Sequence, residues 1–230
     1  MGLKDDLTAE VKKIFVQKWD VQATAGIPDA SDVRLDNHAK DLEKATVLYA
    51  DLDGSTNMVD SQTWSFSAEV YKSYLRCAAR IIAAEDGTVT AYDGDRVMAV
   101  FVGDLKNTRA VRAAMKIHSA VKNVINPELK AVYTNKDFEV KHVVGIDSSQ
   151  LRAARIGVRG HNDLVWVGRA ANYAAKLTTL SSHPLWITKA VYDNMNNDVK
   201  LHNGIDMWEK RLWTAMNKAE IYCSTYSYAI

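Results

Sequence analysis

The sequence predicts an α+β fold: an antiparallel sheet with helices packed on it. Three observations predict it. Two segments with helical spacing, Ser65 to Ala84 and Thr108 to Val124, alternate with apolar runs of strand length. Asp93-Gly94 stands between two such runs as a hairpin turn, since glycine tolerates the positive φ that tight hairpins need. The 230 residues, 47% apolar and 25% charged, suffice for one large core and match ordinary globular usage.

In chain order, Leu7, Val11, Ile14, Phe15 and Val16 form a helical stripe with Trp19 beyond it, and Asp5 and Asp6 suit the positive end of that helix dipole. "TAGIPDASDV" reads as loop, so residues 1–45 form a helical extension ahead of a main domain of residues 46–230. Thr46 to Asp51 is a strand. Ser65 to Ala84 is a helix with Phe66, Val70, Tyr74, Cys77, Ile81 and Ile82 on one side. Thr88 to Tyr92 and Arg96 to Val102 are the hairpin strands, and Thr108 to Val124 the second helix. Val140 to Asp147 is a strand, and Gln150 to Ile156 its hairpin mate. A short strand, Leu164 to Val167, precedes a helix, Ala170 to Leu180, and a further strand, Leu185 to Thr188. Strands near Met207 to Trp213 and Ala219 to Tyr226 close the chain. The order strand-helix-strand-strand-helix-strand is the ferredoxin-like plan, with helices on one face and the other face covered or functional.

A net charge of +1 gives no argument for nucleic acid or an anionic membrane as a bulk partner. Two cysteines, Cys77 and Cys223, imply no disulfide framework and fit a reducing compartment. "MGLKDDLTAEVKKIF" has no apolar h-region, "MGLKDD" lacks the Ser/Thr of a myristoylation motif, and no apolar run approaches the ~20 residues of a membrane span. The expectation is a soluble, cytoplasmic protein.

The chemistry concentrates in three segments. "TVLYADLDGST" ends an apolar strand in Asp51 and Asp53 followed by Gly54-Ser55-Thr56. A buried carboxylate is costly unless it is paired or holds a metal. In the ferredoxin-like plan the first and third strands are neighbours, so Asp95, just after the hairpin turn, comes beside Asp51. Two aspartates suit Mg²⁺ or Mn²⁺, and such a site can take two ions that clamp the attacking and leaving oxygens of a phosphoryl displacement. Backbone N–H groups of Gly54, Ser55 and Thr56 would then lie beside the ions as a phosphate cradle. Alternatively, both Asp-Gly pairs are turn residues only. The third segment, "NDLVWVGRAANYAAKL", reads as strand, glycine turn and helix, with Asn172 and Lys176 on one helical face. An amide and an ammonium there could orient a ribose and neutralise a phosphate, or be a solvated face.

Together, "VLYADLDGST", "DGDRVMAVF" and "DLVWVGRAANYAAKL" resemble the class III nucleotidyl cyclases in order and spacing across most of residues 46–226. The resemblance implies homodimers with active sites at the subunit interface. It implies two divalent metal ions on Asp51, Asp95 and the Leu52 carbonyl, with Asn172 orienting the ribose. Lys176 stands where the family usually has a transition-state arginine; it keeps the charge and loses the bidentate fork, so Arg96, Arg155, Arg159 and Arg169 are candidates to share the role. The base-reading positions depart from the purine pattern. Ala91 replaces the usual lysine of adenylyl cyclases and Val165 its polar partner. A site that reads adenine edges needs polar groups there.

The whole pattern, with "DVRLDNHAKDLEKATVLYADL", is similar to the pyrimidine cyclases of bacterial antiphage Pycsar systems. This implies UTP or CTP as substrate, a cyclic pyrimidine monophosphate as product, and a separate effector that responds to it. Tyr49 stands where related cyclases usually carry Phe. It could narrow the pocket against purines, its hydroxyl or Arg96 reading a pyrimidine edge, or it could face the core. The alternatives are a purine cyclase with an unusual pocket, or an inactive nucleotide-binding sensor. The latter would be expected to lose an aspartate, and both are present.

The six histidines form no i, i+4 pair and no zinc spacing. Trp208 and Trp213 read as core or interface, and Cys77 as packing on a buried stripe. Lys210, Arg211 and Lys218 are basic residues of the C-terminal segment where cyclases often have a triphosphate-binding lysine, and the spacing selects none of them.

Overall fold

The computed structural model describes residues 2–230. It begins with α1 (Leu3–Val16), β1 (Asp20–Ala23) and β2 (His38–Asp41). The expected extension therefore holds two strands besides its helix. Each is only four residues long, too short for an alternation to mark it as a strand.

The central strand β3 (Ala45–Asp53) is followed by α2 (Ser55–Ser61) and α3 (Trp64–Ala84). The Thr63 hydroxyl starts α3 by accepting from the Phe66 N–H. Next come β4 (Thr88–Asp93), β5 (Arg96–Phe101) and α4 (Lys106–Ala120), which continues through one wider turn, Val121–Ile125, into α5 (Asn126–Val132). Then follow β6 (Lys141–Ser149), β7 (Arg152–Val158), β8 (His161–Val167), α6 (Arg169–Leu177), β9 (Leu185–Thr188) and α7 (Lys189–Asn194). The chain ends with β10 (Leu201–His202), β11 (Ile205–Asp206), β12 (Glu209–Trp213) and β13 (Ala219–Ser224).

The main sheet has seven strands in the order β12-β13-β9-β6-β3-β5-β4. Its β6-β3-β5-β4 half is the ferredoxin-like order read from the sequence, with β3 antiparallel to both β5 and β6. A second sheet runs β1-β2-β7-β8, with β1 parallel to β2 and the rest antiparallel.

The pleat of β3 divides its side chains between two faces. Leu48, Ala50 and Leu52 join the core under α3 and α4. Ala45 and Val47 join a second core with Ala170, Ala171 and Ala174 of α6. Helices thus lie on both faces of the sheet rather than one, and α6 covers the face toward which Tyr49 and Asp51 project. A glycine permits its approach: a Cβ on Gly145 of β6 would lie 2.2 Å from the Ala174 carbonyl oxygen. Among the described residues no helix is long and apolar enough to cross a membrane.

Candidate active site

Pairing of β3 with β5 stops at Ala50–Val97, whereas pairing with β6 runs on to Asp53–Lys141. The last three residues of β3 are therefore held from one side only, and beside them lies the β4–β5 hairpin tip. Gly94, at φ 61°, makes that turn, and Asp95 follows it. This is the juxtaposition the strand order predicts.

The two carboxylates feel one another. Asp51, half-buried, has its pKa pushed up to about 6, first by burial and then by the charge of Asp95, with Arg96 and Thr178 opposing. Thr178, just past α6, reaches the Asp51 Oδ2 at 3.4 Å. The Asp51 backbone carbonyl accepts from the buried Tyr74 hydroxyl at 3.3 Å, which fixes the strand end against α3. Asp95 Oδ2 is buried with no hydrogen-bond partner. An orphaned carboxylate oxygen beside a second carboxylate, all hard oxygen donors, fits a divalent cation, and the Leu52 carbonyl lies on the same strand end. Gly54 turns the chain out of β3 in the left-handed region at φ 77°, with open space around it, and Ser55 and Thr56 follow as the first residues of α2.

Another trio of possible ligands, His183, Glu209 and Cys223, lies near β12, four strands from β3. Arg211 already pairs with Glu209 there at 2.6 Å, so a cation would meet positive charge.

Tyr49 lies one pleat before Asp51 on the same face and is half-buried. Arg96 stands over its ring, 5.4 Å from the guanidinium carbon to the centroid. Arg96 donates to Asp93 at 2.5 Å, while its Nε is buried without a partner. Ala91 is exposed on β4 and Val165 half-buried on β8, strands of different sheets.

Asn172 and Lys176 are both exposed on α6. The Lys176 ammonium lies 3.8 Å from the Met216 sulfur rather than at the aspartates. Two of the arginines considered as its helpers are otherwise engaged. Arg169 grips the fully buried Asp147 through Nε at 3.0 Å and a second nitrogen at 3.2 Å. Arg155 donates to the Asn162 side chain at 2.7 Å and to the Val33 carbonyl. Arg159 sits in the β7–β8 turn. In the C-terminal segment Lys210 pairs with Glu220 at 2.6 Å.

Sequence reasoning missed the clamp that fixes α6. Asp147 on β6 also accepts from Thr188 of β9 at 2.5 Å, so one carboxylate ties α6 to two strands. A lone Asp inside a valine-rich strand was its only signal. Also missed was the pairing of His118 with His142 at 3.1 Å, between residues of a helix and a strand. Burial, and secondarily His118, holds His142 down at about 3, so it stays neutral. Trp208 and Trp213 are core, as expected.

No family model matches the chain. Two proteins named uridylate cyclase, from Burkholderia cepacia and Xanthomonas perforans, are each 54% identical over 231 residues, covering 100% of this chain and 100% of the relative. A third of that name, from Rhodovulum sp. (strain MB263), is 35% identical over 98% of this chain and 97% of its own length. Among solved structures, the adenylyl cyclase CyaB from P. aeruginosa superposes with a TM-score of 0.69 at 20% identity, covering 83% of this chain and 97% of that one. The guanylyl cyclase Cya2 does so at 0.67 and 17%, covering 80% and 93%. These structural likenesses show the fold, a class III cyclase catalytic domain.

Proposed function

This chain belongs to the uridylate cyclases and is a nucleotidyl cyclase, and from that premise we propose that it converts UTP into the 3′,5′-cyclic monophosphate and pyrophosphate. The observation that carries the mechanism is the Asp51–Asp95 pair: two carboxylates held together, one with an orphaned oxygen, where a cation relieves both the repulsion and the lost hydration. Bound there by Asp51, Asp95 and the Leu52 carbonyl, two Mg²⁺ or Mn²⁺ ions would supply charge that favours the ribose 3′-oxyanion and the departing pyrophosphate.

The chain's own residues do the rest. Asp51 and Asp95 serve as carboxylates. The 3′-oxygen attacks the α-phosphorus as the bond to the β-phosphate oxygen breaks, and the 3′-proton leaves to solvent. Backbone N–H groups of Gly54, Ser55 and Thr56 donate to the triphosphate. Asn172 orients the ribose and Lys176 balances charge at the α-phosphate. Both come from the second subunit of a homodimer, which accords with a Lys176 ammonium directed away from its own chain's aspartates.

Base selection falls to Tyr49 and Arg96. The ring lies on the catalytic face of β3, and the unpartnered Arg96 Nε donates to a pyrimidine carbonyl. Ala91 and Val165 supply no purine-reading polar pair. The name shared by the full-length relatives favours UTP over CTP. The cyclic product would act as a second messenger for a separate effector in antiphage defence, a reading supported by the Pycsar-like pattern of the whole chain. We take residues 46–230 as the catalytic domain and 1–45 as its extension.

The test is product analysis by mass spectrometry after incubation with each of ATP, GTP, CTP and UTP and Mn²⁺. Cyclic UMP as the main product is expected, and Asp51→Ala should abolish it in a folded protein. Cyclic AMP or GMP as the main product would overturn the pocket assignment. Undiminished turnover by Asp51→Ala would overturn the metal assignment.

A further inference from the structure

Helix α1 has fourteen residues and buries none of them. Leu3, Leu7, Val11, Ile14 and Phe15 fall on one face roughly 120° wide at about 100° per residue, which Lys4 shares near its Phe15 edge. They are open to solvent, Leu3 at 75% and Phe15 at 82%. A helix this short is marginal in water without tertiary packing. Yet its direction is fixed: the buried Asn37 amide donates to the Ile14 carbonyl at 2.8 Å and the Gln17 carbonyl at 2.7 Å. The fold therefore holds out an apolar stripe and gives it nothing to cover.

We propose that α1 pairs antiparallel with α1 of a second copy of this chain. The charges choose this occupant and this direction. Asp5, Asp6 and Glu10 outweigh Lys4 in the N-terminal part of the helix, and Lys12 and Lys13 make the C-terminal part basic. Asp6, Glu10 and Lys13 border one side of the apolar stripe, Asp5 and Lys12 the other. A parallel pair would set acid beside acid and lysine beside lysine. An antiparallel pair sets Asp6 against Lys13 of the second copy and Asp5 against its Lys12. It also brings Leu3 to Phe15 and Leu7 to Val11. The patch is thus complementary to itself, the condition for a two-fold contact. Three lysines against three carboxylates leave the helix neutral, which removes the attraction a basic amphipathic helix has for anionic lipid. This pairing does not depend on a shared active site.

The test uses the full chain with two charge-swapped variants. Asp5→Lys/Asp6→Lys takes the helix from neutral to a net charge of +4, with Glu10 its one remaining acid; Lys12→Glu/Lys13→Glu takes it to −4, with Lys4 its one remaining base. Sedimentation velocity should show each alone associating at least tenfold more weakly than wild type, and a 1:1 mixture recovering wild-type affinity. Leu7→Ser/Val11→Ser should weaken association without recovery in either mixture, with circular dichroism checking that each variant is folded. Wild-type affinity in the separate charge variants and in the apolar variant would overturn the proposal. So would wild-type protein whose α1 binds anionic vesicles in flotation while its self-association ignores every one of these changes.

Discussion

Replacing Asp51 with Asn should make the metal-free protein more stable while removing its activity. The carboxyl titrates at about 6 rather than 3.8, chiefly through burial and secondarily through Asp95. At about 1.4 kcal/mol per unit, that gap of about 2 units is about 3 kcal/mol; partial contact with water reduces it to on the order of 2. The sign follows from where the proton sits. Below pH 3.8 the group is neutral folded and unfolded, and there is no penalty. Between 3.8 and about 6 it ionises on unfolding, so stability falls as pH rises, and above 6 the penalty is complete. Asparagine keeps the shape and an acceptor for Thr178 and carries no charge. Thermal unfolding in EDTA at pH 8 should therefore place the variant roughly 4–8 °C above wild type for a chain of this size. The difference should vanish near pH 4. Mn²⁺ should raise the wild-type Tm more than that of the variant, because only the intact pair binds it well. A variant no more stable than wild type at pH 8, or one that still cyclises UTP, would refute the reasoning.

Asp147→Asn should leave Arg169 and Thr188 without their shared carboxylate and cost about 3–5 kcal/mol, read by urea unfolding, with activity lost as α6 loosens. Gly145→Ala should push α6 off the sheet, since the new methyl meets the Ala174 carbonyl at 2.2 Å and the Leu177 Cβ at 2.7 Å; a loss of about 2–3 kcal/mol is expected by the same assay. Arg96→Ala should lower kcat/KM for UTP by about 10- to 100-fold and narrow the gap to ATP, since the unpartnered donor proposed to read the base is lost. Unchanged selectivity in steady-state kinetics would remove Arg96 from base reading.

The half of the sheet that builds the site was legible because each signal is local. An apolar run ending in aspartate, an Asp-Gly turn and two helical stripes define β3 to β6, and pairing of β3 with β5 follows from plan alone. The first long helix was read nearly to its buried residues, except that Ser67 is buried too and that Ala78 rather than Cys77 is fully enclosed. What escaped is set by contacts distant in sequence. β2 is a strand because β7 offers it a partner, and β1 because β2 then does, not because Asp-Val-Gln-Ala or His-Ala-Lys-Asp prefer extension. Arg169 looked available for phosphate until Asp147, 22 residues earlier, was seen to hold it. The short α2 and α7, 7 and 6 residues long, give too few turns for a period to show.

The ladder between β2 and β7 bears on where this chain can be cut. Ala39, Lys40 and Asp41 lie opposite Ala154, Ala153 and Arg152, and Asp41 also accepts from Arg152 at 3.0 Å. A truncation that begins at residue 46 would take away this strand and leave β7 with a bare row of N–H and C=O groups. An uncovered edge of that kind recruits other edges. The trimmed protein would then be lost to aggregation even though every residue of the aspartate pair and the α6 helix is retained, and the leading 45 residues would behave in expression trials as a part of the body rather than a removable leader.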